Sequence, residues 1–180
     1  MRLFVALDLP WELRERLRAL TALSIPGARW VAAENYHLTL RFIGEAPGYQ
    51  AEEIDHALAA LKAPGFTLTL GGLGTFSKGG RVVSLWIGVE RNPSLDHLHA
   101  KIETALQRIG LEPERRRFAP HVTLARLDNV PEAKLGGFVQ ANNLFRAPSV
   151  PVQHFTLFSS RLGKEQPVYT AEVEYALATT

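Results

Sequence analysis

The sequence predicts an α+β fold of two pseudo-symmetric lobes facing one central cleft, and three observations lead to it. Strand patterns alternate with helix patterns along the chain, a four-residue motif recurs once in each half, and each copy lies in a strand pattern that follows a helix pattern. With 180 residues and 46% hydrophobic content the chain can bury a sizeable core, so residues 1–180 are expected to form a single domain built of those two lobes.

Arg2 to Asp8 alternates as a strand does, and Pro10 then opens a helix in which Leu13, Leu17 and Leu20 recur at helical spacing. Arg14, Arg16 and Arg18 lie mostly between those leucines and are expected on a solvated face. After the Pro26-Gly27 turn, residues 35–43 set Tyr36, Leu38, Leu40 and Phe42 against His37, Thr39 and Arg41, the period of a strand with one buried face. A second helix, residues 50–62, buries Ile54, Leu58 and Leu61 and leaves His56 to solvent. Residues 66–70 and 82–89 read as strands. The glycine-rich stretch Gly71 to Gly80 between them, with Phe76 and Lys78, reads as a flexible connection, because its glycines match neither the Walker spacing nor the dinucleotide fingerprint. A third helix over 93–109 carries Asp96, His97 and His99, and two histidines two residues apart on a helix do not face each other as metal ligands would. Arg115 to Arg117 precede a strand over 118–127, and residues 152–158 and 168–176 read as two more.

Composition narrows the chemistry. There is no cysteine, so a disulfide framework, a thiolate metal site and a cysteine nucleophile are all excluded. The net charge is only +2, and the excess of arginine over lysine suits an anionic ligand without demanding one. The first ten residues alternate and carry Asp8, unlike a signal peptide, and no apolar run approaches the roughly 18 residues of a membrane span. A cytoplasmic monomer with no membrane association and no obligate protein partner is the expectation.

The motif that carries chemistry is His37-Leu38-Thr39-Leu40, repeated as His121-Val122-Thr123-Leu124 after 84 residues (121 minus 37). In each copy the histidine and the threonine share one strand face. A twofold relation between the halves would aim both pairs into one cleft, where two imidazoles with an ordinary pKa of about 6.5 can divide the work of accepting and donating a proton. The threonine hydroxyls can donate to ligand oxygens beside them, and phosphate offers several such oxygens around one electrophilic atom.

These motifs resemble those of the two-histidine (2H) phosphoesterase superfamily. Arg2-Leu3-Phe4-Val5-Ala6-Leu7-Asp8, residues 35–44 around His37, Phe118-Ala119-Pro120-His121-Val122-Thr123-Leu124-Ala125-Arg126, and the Phe158-Ser159-Ser160 and Tyr169 region look like the RNA 2',3'-cyclic phosphodiesterases, also called 2'-5' RNA ligases. The resemblance implies a bilobal fold of two antiparallel sheets flanked by helices around the cleft. It implies hydrolysis of RNA 2',3'-cyclic phosphate ends to 2'-phosphomonoesters, with reversible 2'-5' ligation in some members, and neither metal nor ATP nor other cofactor. It makes His121 the general base and His37 the general acid, gives Thr39, Thr123 and Arg126 the phosphate, and stacks Phe42 on the terminal base. Strict alternation would turn Phe42 and Arg126, each five residues after its histidine, to the opposite face, so a strand end or a bulge is expected in both motif strands. Related enzymes acting on 2'-5' oligonucleotides or ADP-ribose cyclic phosphate would share the histidine pair, and a non-catalytic RNA-end binding module would use the same motifs to grip phosphate.

Overall fold

The computed structural model describes residues 1–22 and 25–179. Strand β1 (Arg2–Asp8) leads into helix α1 (Trp11–Leu20), which buries Leu13 and Leu17 on the expected stripe. A short strand β2 (Ala28–Trp30) and a single 3-10 turn, Ala33–Asn35, deliver the chain to β3 (His37–Glu45), and α2 (Gly48–Ala59) follows, burying Ile54 and Leu58. Next come β4 (Phe66–Leu68), β5 (Leu70–Lys78), β6 (Arg81–Val89) and α3 (Pro93–Arg108). Asn92 caps α3 by accepting from the Leu95 amide, Pro93 opens its first turn, and Gly110 with φ of 99° lies just beyond its end. The chain finishes with β7 (His121–Leu127), α4 (Glu132–Asn142), β8 (Val150–Val152), β9 (His154–Arg161) and β10 (Val168–Ala176).

All named strand pairs are antiparallel. The main sheet runs β10-β9-β1-β3-β7-β6-β5 with β2 added beside β7, and β4 pairs with β8 in a small separate sheet. The main sheet is two half-sheets that meet at a narrow seam: β1 and β3 pair along their length, as do β6 and β7, whereas β3 and β7 pair in the ladder at Leu38 and Val122 alone. The expected α+β architecture therefore holds, with the two motif strands at its centre. One face of the seam, with Leu38, Leu40, Val122 and Leu124, joins the main core with Leu13, Leu17, Ile54, Leu58, Leu98 and Ile102 from the helices. The other face carries the polar half of each motif.

Two expectations need correction. Gly71 to Gly80 is not a flexible connection: most of it is β5, paired to β6 along the hairpin, and only Gly79 and Gly80, both with positive φ, make the turn. Glycine stands at 74 because the Trp86 ring from β6 fills that space, leaving 2.2 Å to where a Cβ would be. Arg14 is not solvated. It is buried, ion-paired to Asp8, and donates from Nε to the Leu9 carbonyl at 2.7 Å and from Nη1 to the Ala33 carbonyl at 2.8 Å, while Arg16 and Arg18 are exposed as expected.

Candidate active site

His37 and His121 are built alike. Each imidazole is half-buried at the start of its strand, and each donates from Nδ1 to the backbone carbonyl two residues earlier, Asn35 at 2.8 Å and Ala119 at 2.7 Å. A carbonyl only accepts, so Nδ1 carries the proton in both rings and Nε2 keeps a free lone pair. The carbonyls are themselves fixed: buried Asn35 donates from its side chain to the Pro167 carbonyl at 3.0 Å, and Ala119 is confined to extended backbone by Pro120. In the antiparallel register through Leu38 and Val122, His37 flanks the seam on the Thr123 side and Thr39 on the His121 side. The four motif side chains thus share one face, their apolar neighbours the other.

The bulges that the alternation requires are present, and they match. Opposite β1, Val5 pairs with Arg41 and Ala6 with Thr39, so Leu40 is skipped; opposite β6, Leu85 pairs with Ala125 and Trp86 with Thr123, so Leu124 is skipped. Two consecutive buried residues result in each strand, and the next residue turns onto the histidine face. That residue is Phe42 in β3, 51% exposed, and Arg126 in β7, also exposed.

Aromatic side chains that the sequence reading did not assign to the site surround both histidines. Phe4 lies 4.9 Å from the His37 ring and stacks with Phe42 at 5.8 Å and Phe158 at 5.2 Å, while Tyr169 meets His37 edge-on at 5.1 Å. In the other half-sheet Phe76 meets His121 edge-on at 4.8 Å, and Trp86 lies 5.9 Å from it. Phe4, Phe158 and Tyr169 lie in segments that carry the family resemblance, and the alternation of Phe4 with Ala6 and Asp8 puts it on the face of β1 that pairs beside His37, whereas Phe76 and Trp86 carried no such signal. Tyr36, expected on the buried face of its strand, is buried in the core, and Phe118 is half-buried against His99, ring on ring at 3.8 Å.

Burial disfavours the protonated form of both imidazoles in the free protein. Burial holds His37 below the ordinary histidine value despite the Asn35 carbonyl; Arg14 and His121 push the same way, and Asp8 opposes them. Burial likewise holds His121 down, with Arg126 adding to the effect. Burial pushes the Tyr169 hydroxyl above the ordinary tyrosine value, and the charge of Arg126 opposes it. Among the described residues no three His, Cys, Asp or Glu side chains come together as a metal site would need, and no helix is long and apolar enough to cross a membrane.

The comparisons with known proteins agree with this geometry. The family model of the 2'-5' RNA ligase superfamily matches residues 9–164. The RNA 2',3'-cyclic phosphodiesterase of Aeropyrum pernix is 34% identical over 83% of this chain and 86% of its own length, and that of Escherichia coli K12 is 33% identical over 98% and 96%. In structure, Escherichia coli LigT complexed with 3'-AMP superposes with a TM-score of 0.81 at 31% identity, covering 98% of this chain and 97% of LigT. TT0787 of Thermus thermophilus does so with a TM-score of 0.79 at 28% identity over 98% and 97%. Motifs, fold and relatives converge: the chain belongs to the 2'-5' RNA ligase superfamily, the branch of two-histidine phosphoesterases that its motifs resemble.

Proposed function

We propose that this protein is an RNA 2',3'-cyclic phosphodiesterase that opens cyclic phosphate ends to 2'-phosphomonoesters by acid-base chemistry of His37 and His121, with no metal or nucleotide cofactor. The observation that carries the reading is the matched pair of imidazoles, each held by Nδ1 to a backbone carbonyl with Nε2 free on one shared face. A cyclic phosphate contains its own leaving group, so the work left to the enzyme is placing a water, moving two protons and stabilising charge on phosphorus.

In this reading Nε2 of His121 takes the proton of the attacking water, and Nε2 of His37 gives one to the departing 3'-oxygen. Arg126 beside His121 disfavours its protonated form, as a base requires. His37 acquires its proton when the anionic phosphate enters, since a negative charge beside a desolvated imidazole raises its pKa. Thr39 and Thr123 donate to the non-bridging oxygens, and Arg126 neutralises the charge that builds on them. Phe42, exposed and backed by Phe4, takes the terminal base on its ring.

The names of the relatives and the 3'-AMP held by the LigT structure support a nucleotide phosphate as the guest. The test is turnover of a short RNA ending in 2',3'-cyclic phosphate in the presence of EDTA. A 2'-monophosphate product is expected; a 3'-monophosphate product, or loss of activity with the chelator, overturns the reading.

A further inference from the structure

Four arginines of this protein are held by carboxylates: Arg14 by Asp8, Arg18 by Glu15, Arg41 by Glu103 and Arg146 by Glu90. Arg126 stands differently. Strand β7 is flanked by β6 on one side and, on the other, by β3 at Val122 and then by β2 over Ala125 to Leu127, which places Arg29 directly opposite Arg126. Cross-strand partners share a face, so Arg29 projects on the histidine face beside Arg126, and both are exposed. The row across β5, β6, β7 and β2 thus reads Phe76, Ser84, Arg126, Arg29. Its last member is fixed by the neighbours of Arg29. Trp30 turns to the opposite face and packs 5.8 Å from the Phe138 ring, Gln166 donates to the Trp30 carbonyl at 3.3 Å, and the Val31 amide donates to the Leu124 carbonyl at 2.8 Å.

Like charges directly opposite each other in a ladder cost stability. Neither Arg29 nor Arg126 forms an ion pair among the described residues, and Asp128, two residues along the strand, is not within ion-pair distance of either. Opposed residues hold their Cβ atoms about 4.5–5.5 Å apart, close enough for two guanidinium forks to take oxygens of one phosphate. We propose that Arg29 joins Arg126 in a single two-arginine site for a phosphodiester group of the RNA, and that the bound anion offsets the repulsion the free protein carries. This rests on the reading of the cleft given above, in which Arg126 already serves a phosphate. Two groups of an RNA end have the required chemistry: the cyclic phosphate under attack, and the phosphate that links the terminal nucleotide to its neighbour. A pair of charges that repel without their ligand has a signature that a structural arginine lacks, because removing Arg29 weakens binding and strengthens the fold.

The experiment compares wild type, Arg29→Gln and Arg29→Glu by urea denaturation, with and without inorganic phosphate at constant ionic strength. It also compares their kcat/KM on adenosine 2',3'-cyclic phosphate and on adenylyl-adenosine ending in 2',3'-cyclic phosphate. Without phosphate both variants should unfold at higher urea than wild type, Arg29→Glu the higher because its carboxylate pairs with Arg126. Loss of a hydrogen bond to a charged group costs about 10- to 100-fold, so Arg29→Gln should lower kcat/KM on the dinucleotide by about that factor, and Arg29→Glu by more. An equal fall on the mononucleotide assigns the site to the phosphate under attack, and an unchanged mononucleotide assigns it to the linking phosphate. Unchanged kcat/KM on both substrates overturns the proposal, as does a loss of stability together with activity, the mark of a structural arginine. If wild type turns over neither substrate, the reading of the cleft fails by itself and inorganic phosphate judges the arginine pair. A gain in midpoint for wild type that Arg29→Gln loses upholds the pair, and equal gains overturn it.

Discussion

Phe42 and Arg126 occupy the same place in the two motif strands: each follows its histidine by five residues, and each reaches the histidine face because a leucine before it, Leu40 or Leu124, is skipped in the ladder. The strands are alike and the two side chains are not. Across β9, β1 and β3 the row reads Phe158, Phe4, Phe42, while across β5, β6 and β7 it reads Phe76, Ser84, Arg126. One half-sheet thus offers an unbroken aromatic surface and the other a cation beside the same cleft.

That contrast predicts different kinetic signatures. Phe42→Ala should raise KM for a cyclic phosphate end by about 5- to 100-fold with kcat little changed, as expected for loss of base stacking. Arg126→Ala should lower kcat by about 10²-fold, and Arg126→Lys should recover only part of it, because an ammonium lacks the planar fork of donors. Steady-state kinetics on one short RNA check both.

The neutral histidines predict the pH profile. Turnover needs one imidazole neutral and one protonated, and both are held below about 6.5 in the free protein, chiefly by burial. The kcat/KM profile should therefore peak on the acid side of neutrality and fall as the pH rises through 7, while the basic limb of kcat, reporting the phosphate-bound state, lies at higher pH. A basic limb of kcat/KM above about pH 7.5 contradicts this.

Stability follows the same shifts. Between the lowered native values and about 6.5 the unfolded chain binds protons that the native protein does not, so stability is level above that pH and declines as the pH falls through it. His37→Gln should flatten the decline, visible in denaturation midpoints from about pH 5 to 7.

Packing around Trp86 makes a further prediction. A Cβ at position 74 would stand 2.2 Å from the indole ring, so Gly74→Ala must displace Trp86. The variant should lose about 1–3 kcal/mol of stability, and the altered tryptophan environment is readable by near-ultraviolet circular dichroism.

Beneath His37, Arg14 ties α1 to the Ala33 carbonyl and to Asp8, which pairs with His37 in the ladder. Arg14→Met leaves two backbone carbonyls without their donor and should cost about 2–5 kcal/mol, measured by urea denaturation.

The seam of the fold was legible because both motifs repeat one pattern, His-apolar-Thr-Leu, in strands of period two, which fixes what shares a face without knowledge of any partner. The need for a bulge was legible too, as a conflict between alternation and the expected roles of Phe42 and Arg126. Its position was not, because only the cross-strand registers single out Leu40 and Leu124. Phe76 and Trp86 escaped notice for a related reason: β5 is strand by virtue of its partner β6, and its glycines, which argue for a loop in isolation, make room for an indole from across the ladder. Arg14 misled because its three partners are brought together only by tertiary structure. Helix α4, with Gly136 and Gly137 at its middle and only Leu135 and Phe138 buried, has too weak a stripe to be read from periodicity.

The most direct test of the central claim is the rate at which His37→Ala and His121→Ala open a short RNA ending in 2',3'-cyclic phosphate, with circular dichroism confirming that both variants fold. Each should lose at least about 10²-fold in kcat, as removal of an acid or a base requires. A folded variant of either histidine that retains wild-type turnover would contradict the acid-base pair on which the account rests.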